Sequence, residues 1–323
     1  MIDPLLPVPQ ACVPNPRRAA LLRGFAALAL GVLLAGCQSA PPAVTTAPPA
    51  APPTAPAPSV PAAPSVKHVP RLGLALGGGA ARGFAHIGVI QVLEENGFYP
   101  QLVAGTSAGS LVAALYTAGN NGAALQRLAA DMDESALTDW TFPLRGLIKG
   151  EALAQFVRQQ TSGKLIEQMS VPLGVVATDL ATGNPVLFRR GDTGTAVRAS
   201  SAVPSMFEPV QIGTHEYVDG GLTSPVPVRF AREMGAQVVV AVDISTPPSG
   251  QAPHEALGML LQTFAIMGRS INHWELRTAD VVIRPQLDGM KGTDFASRLK
   301  AIEAGRAAAL AALPAIRLAM APR

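Results

Sequence analysis

Residues 71–109 follow one grammar twice over, with no repeat of sequence. An apolar run of strand length stops abruptly at glycine, and helical periodicity follows. RLGLAL (71–76) halts at Gly77-Gly78-Gly79, and FAHIGVIQVLEE (84–95) carries apolar residues at helical spacing until Asn96-Gly97. Residues 101–104 form a second run that enters Gly105-Thr106-Ser107-Ala108-Gly109, and 108–118 is again helical up to Gly119. A continuous apolar run bounded by glycine reads as a strand buried on both faces. Strand, helix, strand, helix requires a parallel sheet covered by helices. The expected fold class is therefore α/β, a three-layer α/β/α arrangement with a mainly parallel central sheet. Further strands are expected at 171–180, 185–190, 236–245 and 278–286, with a closing helix over 294–313.

The pattern starts only at Arg71, and the residues before it have a different character. Arg17, Arg18 and Arg23 precede FAALALGVLLAGC, an apolar run of about a dozen residues. A membrane span needs about 20, whereas a signal-peptide core needs no more than this. Leu34-Ala35-Gly36-Cys37 resembles the lipobox of bacterial lipoproteins, which makes Cys37 the expected lipidation site and new N-terminus. The chain has two cysteines, Cys12 and Cys37. Cleavage before Cys37 leaves one thiol, carrying lipid, and no disulfide framework. From Gln38 to Val66 the composition collapses to Ala, Pro, Ser, Thr and Val, which suits an extended tether. Three parts are expected: an extension and signal over 1–36, a lipidated tether over 37–66, and one catalytic domain over 67–323. The expected location is a bacterial cell envelope, on the outer membrane where the host has one, because Gln38 is not the usual retention aspartate. The net charge of +3 includes +2 from residues 1–36, three arginines against Asp3, leaving +1 for the remainder. That near-neutral body gives no electrostatic case for nucleic acid.

Both glycine stops lie at the carboxyl edge of the expected sheet, where α/β folds build their sites. Two chemistries use a loop like Gly77-Gly78-Gly79-Ala80-Ala81-Arg82-Gly83. Its N–H groups can hold a phosphate, or an oxyanion during acyl transfer. Dinucleotide binding requires an acid at the end of the second strand, but Glu94 and Glu95 fall inside the helix. No GK[ST] follows, which removes the P-loop. At the second stop, Ser107 between Gly105 and Gly109 has the spacing of a nucleophile on a tight strand-to-helix turn.

A serine hydroxyl needs a proton acceptor. A triad would draw on His215, His254 or His273; His68 ends the tether and His86 sits on the helix after the glycine loop. The other candidate is Asp219, in Tyr217-Val218-Asp219-Gly220-Gly221, where two glycines leave the carboxylate open to close approach. A carboxylate is a poor base in water, and partial burial would raise its pKa.

Taken in order, GGGAARGFAHIGVIQVLEE, GTSAG, ATDLATG, RASSAVPSMFEPV and DGGLTSPVPV resemble the patatin-like phospholipase family, in particular the catalytic domain of the neuropathy-target-esterase type. The likeness runs from about Leu72 to Asp243. It implies a Ser107–Asp219 dyad with no histidine, an oxyanion loop of Gly77, Gly78, Gly79 and Arg82, and DGG glycines Gly220 and Gly221. It also implies hydrolysis of phospholipid or other lipid acyl esters without metal or cofactor. Val203, Met206 and Phe207 are expected beside the acyl chain. Two rival expectations remain: a Ser–Asp–His esterase or thioesterase, and a non-catalytic surface lipoprotein that binds lipid or a partner. The sequence sets no oligomeric state.

Overall fold

A computed structural model describes residues 68–132, 148–245 and 254–322. Cys37, the signal segment and the tether lie outside the described residues. Among the described residues, eight strands form one mixed, mainly parallel sheet flanked by helices, a three-layer α/β/α fold. The strands are β1 (Leu72–Leu76), β2 (Leu102–Thr106), β3 (Leu173–Asp179), β4 (Pro185–Phe188), β5 (Val210–Ile212), β6 (His215–Asp219), β7 (Val238–Val242) and β8 (Val281–Ile283). Hydrogen bonding links them as β5-β6-β3-β2-β1-β7-β8, with β4 also paired to β3. β3, β2, β1, β7 and β8 are mutually parallel, and β4, β5 and β6 form the antiparallel part.

The helices are α1 (Ala85–Glu95), α2 (Ala108–Thr117), α3 (Gly122–Asp131), α4 (Glu151–Gln160), α5 (Thr193–Ser200), α6 (Val228–Glu233), α7 (Ala256–Glu275) and α8 (Arg298–Ala319). Alternate strand residues face opposite layers. Leu72, Leu74, Leu76, Val238, Val240 and Val242 pack beneath α1, α2 and α8. Ala75, Leu102, Ala104, Val239 and Ala241 meet Val228, Phe230, Ala231 and Met234 of α6. Burial on both faces is why β1, β2 and β7 read as unbroken apolar runs.

Several elements depart from the sequence expectation. The strand expected over 278–286 shrinks to Val281–Ile283, because a 3-10 turn at Leu276–Thr278 occupies its beginning. α8 does not stop at Leu313 but carries Pro314 within it and continues to Ala319. Pro314 is exposed while Leu313 and Ile316 are buried, so packing on the inner face carries the helix past the missing N–H. The short helices α3 and α5 are held at their starts by side-chain caps. Asn121 accepts from the Ala124 N–H at 2.8 Å, and Asp192 from the Thr195 N–H at 2.7 Å.

The register around β3 positions the site. On one edge of β3, Val175 and Val176 pair with Gly105 and Thr106, where β2 ends. The other edge, from 175 to 178, is taken by β4. Ala177 and Thr178 also pair with Asp219 and Val218 of β6, so β6 must lie on the β2 edge. β2 and β6 therefore run toward each other along one side of β3. One stops at Thr106 opposite Val176, the other at Asp219 opposite Ala177.

Candidate active site

The head-on meeting of these strands brings Ser107 against Asp219. Ser107 Oγ donates a 2.6 Å hydrogen bond to Asp219 Oδ2. Ser107 adopts φ 52° and ψ −124°, a positive φ that costs a non-glycine residue about 1–3 kcal/mol and must be held by its surroundings. Its N–H donates to Ser200 Oγ at 2.8 Å, and Ser200 Oγ donates to the Val176 carbonyl at 2.5 Å. Its carbonyl accepts from the Ser110 N–H at 2.8 Å and from Ser110 Oγ at 2.7 Å. The flanking glycines admit this turn. A Cβ on Gly105 would lie 2.5 Å from the Gly109 carbonyl oxygen, and one on Gly109 would overlap the end of β1 at Leu76.

Asp219 is buried, with 7% of its surface exposed. Loss of water pushes its carboxyl up to about 6, against the opposing hydrogen bonds from Ser107 and the Gly221 N–H. The Gly221 N–H donates to Oδ1 at 2.6 Å and leaves Oδ2 for the serine. A side chain on Gly221 would press on that carboxylate, and one on Gly220 would overlap the Val176 carbonyl. The Asp219 backbone is pinned by its N–H to the Ala202 carbonyl at 2.9 Å and by Thr178 Oγ1 to its own carbonyl at 2.9 Å.

The glycine loop lies against the serine and is anchored from behind. The Gly77 N–H donates to Val242 O at 3.0 Å, and the Gly78 N–H to Pro225 O at 2.9 Å. Both donors are thus spent inside the protein, contrary to the expectation that they face an oxyanion. Among the described residues, the N–H groups of Gly79 and of Ala108, at the start of α2, make no hydrogen bond. All three glycines are needed for contact. A Cβ would meet Val226 at Gly77, Ser107 Cβ (3.1 Å) at Gly78 and Ile244 at Gly79. Arg82 is half-buried; its Nε donates to the Ile244 carbonyl at 2.9 Å, bracing the loop against the end of β7. Burial lowers the Arg82 pKa from its ordinary value.

No histidine meets Ser107 among the described residues. His215 Nδ1 pairs with Asp179 Oδ2 at 2.7 Å, four residues up β6 from Asp219, about 13 Å at ~3.3 Å per residue. His254 and His273 are exposed, and His273 lies edge-on to Trp274. His86 is fully buried and bonds the Gly77 carbonyl through Nε2 at 2.8 Å. Burial pushes His86 down to about 4, so its imidazole is neutral and Nε2 is the donor. Its position on α1 gave no sign of this role, nor did Ser200 stand out among the residues of RASSAVPSMFEPV.

An apolar cavity of about 70 Å³ begins beside the same loop and serine turn. All its lining residues are apolar, among them Ala80, Phe84, Ala108, Leu111, Phe156 and Phe295. Val203, Met206 and Phe207 do not line it; Phe207 packs instead with Ala177, Ala202 and Tyr217. A wider cleft between Arg71, Gln101 and Gln237 lies at the opposite edge of the parallel strands.

Residues 74–232 match the family model described as patatin-like phospholipase. An uncharacterized NTE family protein of Mycobacterium tuberculosis is 35% identical over 185 residues, 57% of this chain and 51% of that protein. Patatin-like phospholipase domain-containing protein 6 of Mus musculus is 30% identical over 211 residues, 63% of this chain and 15% of that protein. The chain thus spans about half the length of the mycobacterial relative. The crystal structure of VipD from Legionella pneumophila shares the fold, with a TM-score of 0.52 at 15% identity over 77% of this chain and 67% of that one.

Proposed function

The folded domain of this chain belongs to the patatin-like phospholipase family, and from that premise we propose that it is a serine hydrolase of lipid acyl esters working through a Ser107–Asp219 dyad. The observation that carries this reading is the 2.6 Å bond from Ser107 Oγ to Asp219 Oδ2, with no histidine beside it among the described residues. Asp219 takes the hydroxyl proton as Ser107 Oγ attacks the ester carbonyl carbon. The oxyanion forms beside the free N–H groups of Gly79 and Ala108, the latter at the positive end of α2. Collapse breaks the ester C–O bond, and the proton passes from Asp219 to the departing alcohol. Water then attacks the acyl-serine, gives its proton to Asp219, and releases the fatty acid as Ser107 regains its hydrogen. The raised carboxyl supports this role, since a base near 6 is a better proton acceptor than an exposed aspartate. The apolar cavity beside Ala80 and Ala108 receives the start of the acyl chain.

The test is covalent. A fluorophosphonate ester should label Ser107 in the wild type, and Ser107→Ala and Asp219→Asn should each remove nearly all labelling and turnover. Because the two act as a unit, the double variant should be little worse than either single one. Full labelling of Asp219→Asn, or its loss in folded His215→Ala, would overturn the dyad in favour of a triad.

A further inference from the structure

We propose that α7 is a lipid-docking helix that lies in the surface of a bilayer and sets the mouth of the candidate active site against it. The choice of a lipid surface rests on the hydrolase reading above. Residues 256–268, ALGMLLQTFAIMG, contain no charged residue, yet none of the thirteen is buried. The only buried residues of α7 are Asn272 and Glu275, near its C-terminal end. At about 100° per residue, Leu257, Leu261 and Gly268 share the face of Glu275, while Met259 and Ile266 point the opposite way. Leu257 is 39% exposed, Met259 54%, Leu261 40% and Ile266 54%. The segment is thus apolar on both faces and fully buried on neither.

A protein groove takes one apolar stripe of a helix, whereas an apolar medium accepts a helix that is apolar all round. Thirteen residues extend about 20 Å, too short for the roughly 30 Å hydrocarbon core of a bilayer. Consistently, no helix among the described residues is long and apolar enough to cross a membrane. Too short to span, the segment can enter only the boundary between headgroups and acyl chains, lying along it with the charged residues Glu255 and Arg269 at its ends. Its C-terminal end carries groups suited to headgroup level. Trp274 is 64% exposed, with the Arg277 guanidinium 5.4 Å above its ring, and Arg269 makes no ion pair among the described residues. The docked surface adjoins the site. α7 packs on the Gly220–Leu222 turn that follows Asp219. Gly268 faces Pro225, whose carbonyl holds the Gly78 N–H.

The experiment uses the full chain with Cys12→Ser. A thiol-reactive nitrobenzoxadiazole dye is placed in turn on Met259→Cys, Ile266→Cys and, as reference, Leu318→Cys, which is exposed at the far end of α8. A sample without an introduced cysteine corrects for dye elsewhere. Mixed phosphatidylcholine–phosphatidylglycerol vesicles should shift the dyes at 259 and 266 to the blue and shield them from iodide, leaving the dye at 318 unchanged. Iodide access retained at 259 and 266 on vesicle-bound protein overturns the proposal. So does shielding before vesicles are added, which assigns the face to a second copy if it grows with protein concentration and to this chain if it does not. In parallel, Met259→Asp with Ile266→Asp should lower hydrolysis of vesicle phospholipid by about tenfold or more and leave a soluble short-chain ester untouched. Equal losses on both substrates, or none, count against docking. A wild type that hydrolyses neither ester sinks the hydrolase reading alone, because the dye shift is read without turnover.

Discussion

Asp219 meets two opposing demands. Burial beside Ser107 raises its carboxyl from 3.8 to about 6, and at neutral pH the folded chain still holds it ionised. A raised acid means that the folded state binds the proton more tightly than the unfolded chain does. The cost of the buried charge is therefore full above pH 6 and relieved as pH falls toward 4, by about 3 kcal/mol at 1.36 kcal/mol per unit. Asp219→Asn should remove turnover and raise the melting temperature at pH 7, a trade that calorimetry beside an ester assay reads directly. His86 has the opposite sign. Its pKa drops from 6.5 to about 4, so the unfolded chain binds protons first and stability falls as pH drops from 6.5 toward 4. The two windows overlap and offset each other in the wild type. Asp219→Asn should unmask the histidine and lose stability more steeply than the wild type between pH 6.5 and 4; parallel curves would show that one of the two groups titrates elsewhere. Wild-type turnover should decline below about pH 6, where Asp219 takes up its proton.

At the scale of elements, α1 and α8 cross at two glycines. A Cβ on Gly88 would overlap the Ile302 carbonyl, and one on Gly305 the Ala85 carbonyl. Gly88→Ala should force the helices apart and cost about 1–3 kcal/mol in urea denaturation. It should also slow turnover, because α1 carries His86 and with it the Gly77 carbonyl. Unchanged stability would mean that α8 shifts without strain. The elements at the core of the sheet were legible in the sequence because β1, β2 and β7 are buried on both faces and stop at glycine or a turn. The turns at Gly105–Gly109 and Tyr217–Gly221 were legible for the same reason: small residues mark close approach. Other features left no such mark. α5 is only eight residues long and starts at an Asp cap, so no helix was expected there, and Ser200 was indistinguishable from its neighbours. The availability of N–H groups in the glycine loop depends on Pro225 and Val242, more than 140 residues away, and no local pattern records that pairing.

At the scale of the whole molecule, the expected lipidation site is open to a direct test. We propose that Cys37, which lies outside the described residues, is lipidated. Mass spectrometry of envelope-extracted protein should find a mature chain beginning at acylated Cys37; an intact segment 1–36 would make the apolar run an uncleaved anchor. The head-on ending of β2 and β6 also means that the site is complete only when both strands are in place. Ser107 and Asp219 stand 112 positions apart, and they meet only after β3 has accepted both strands along one edge. A sheet that lacked β6 would hold the serine turn at the end of β2 without its proton acceptor. Serine and base thus become a pair only in the completed sheet, so any break in the β3 edge, by mutation or by incomplete folding, silences the site while leaving the serine in place.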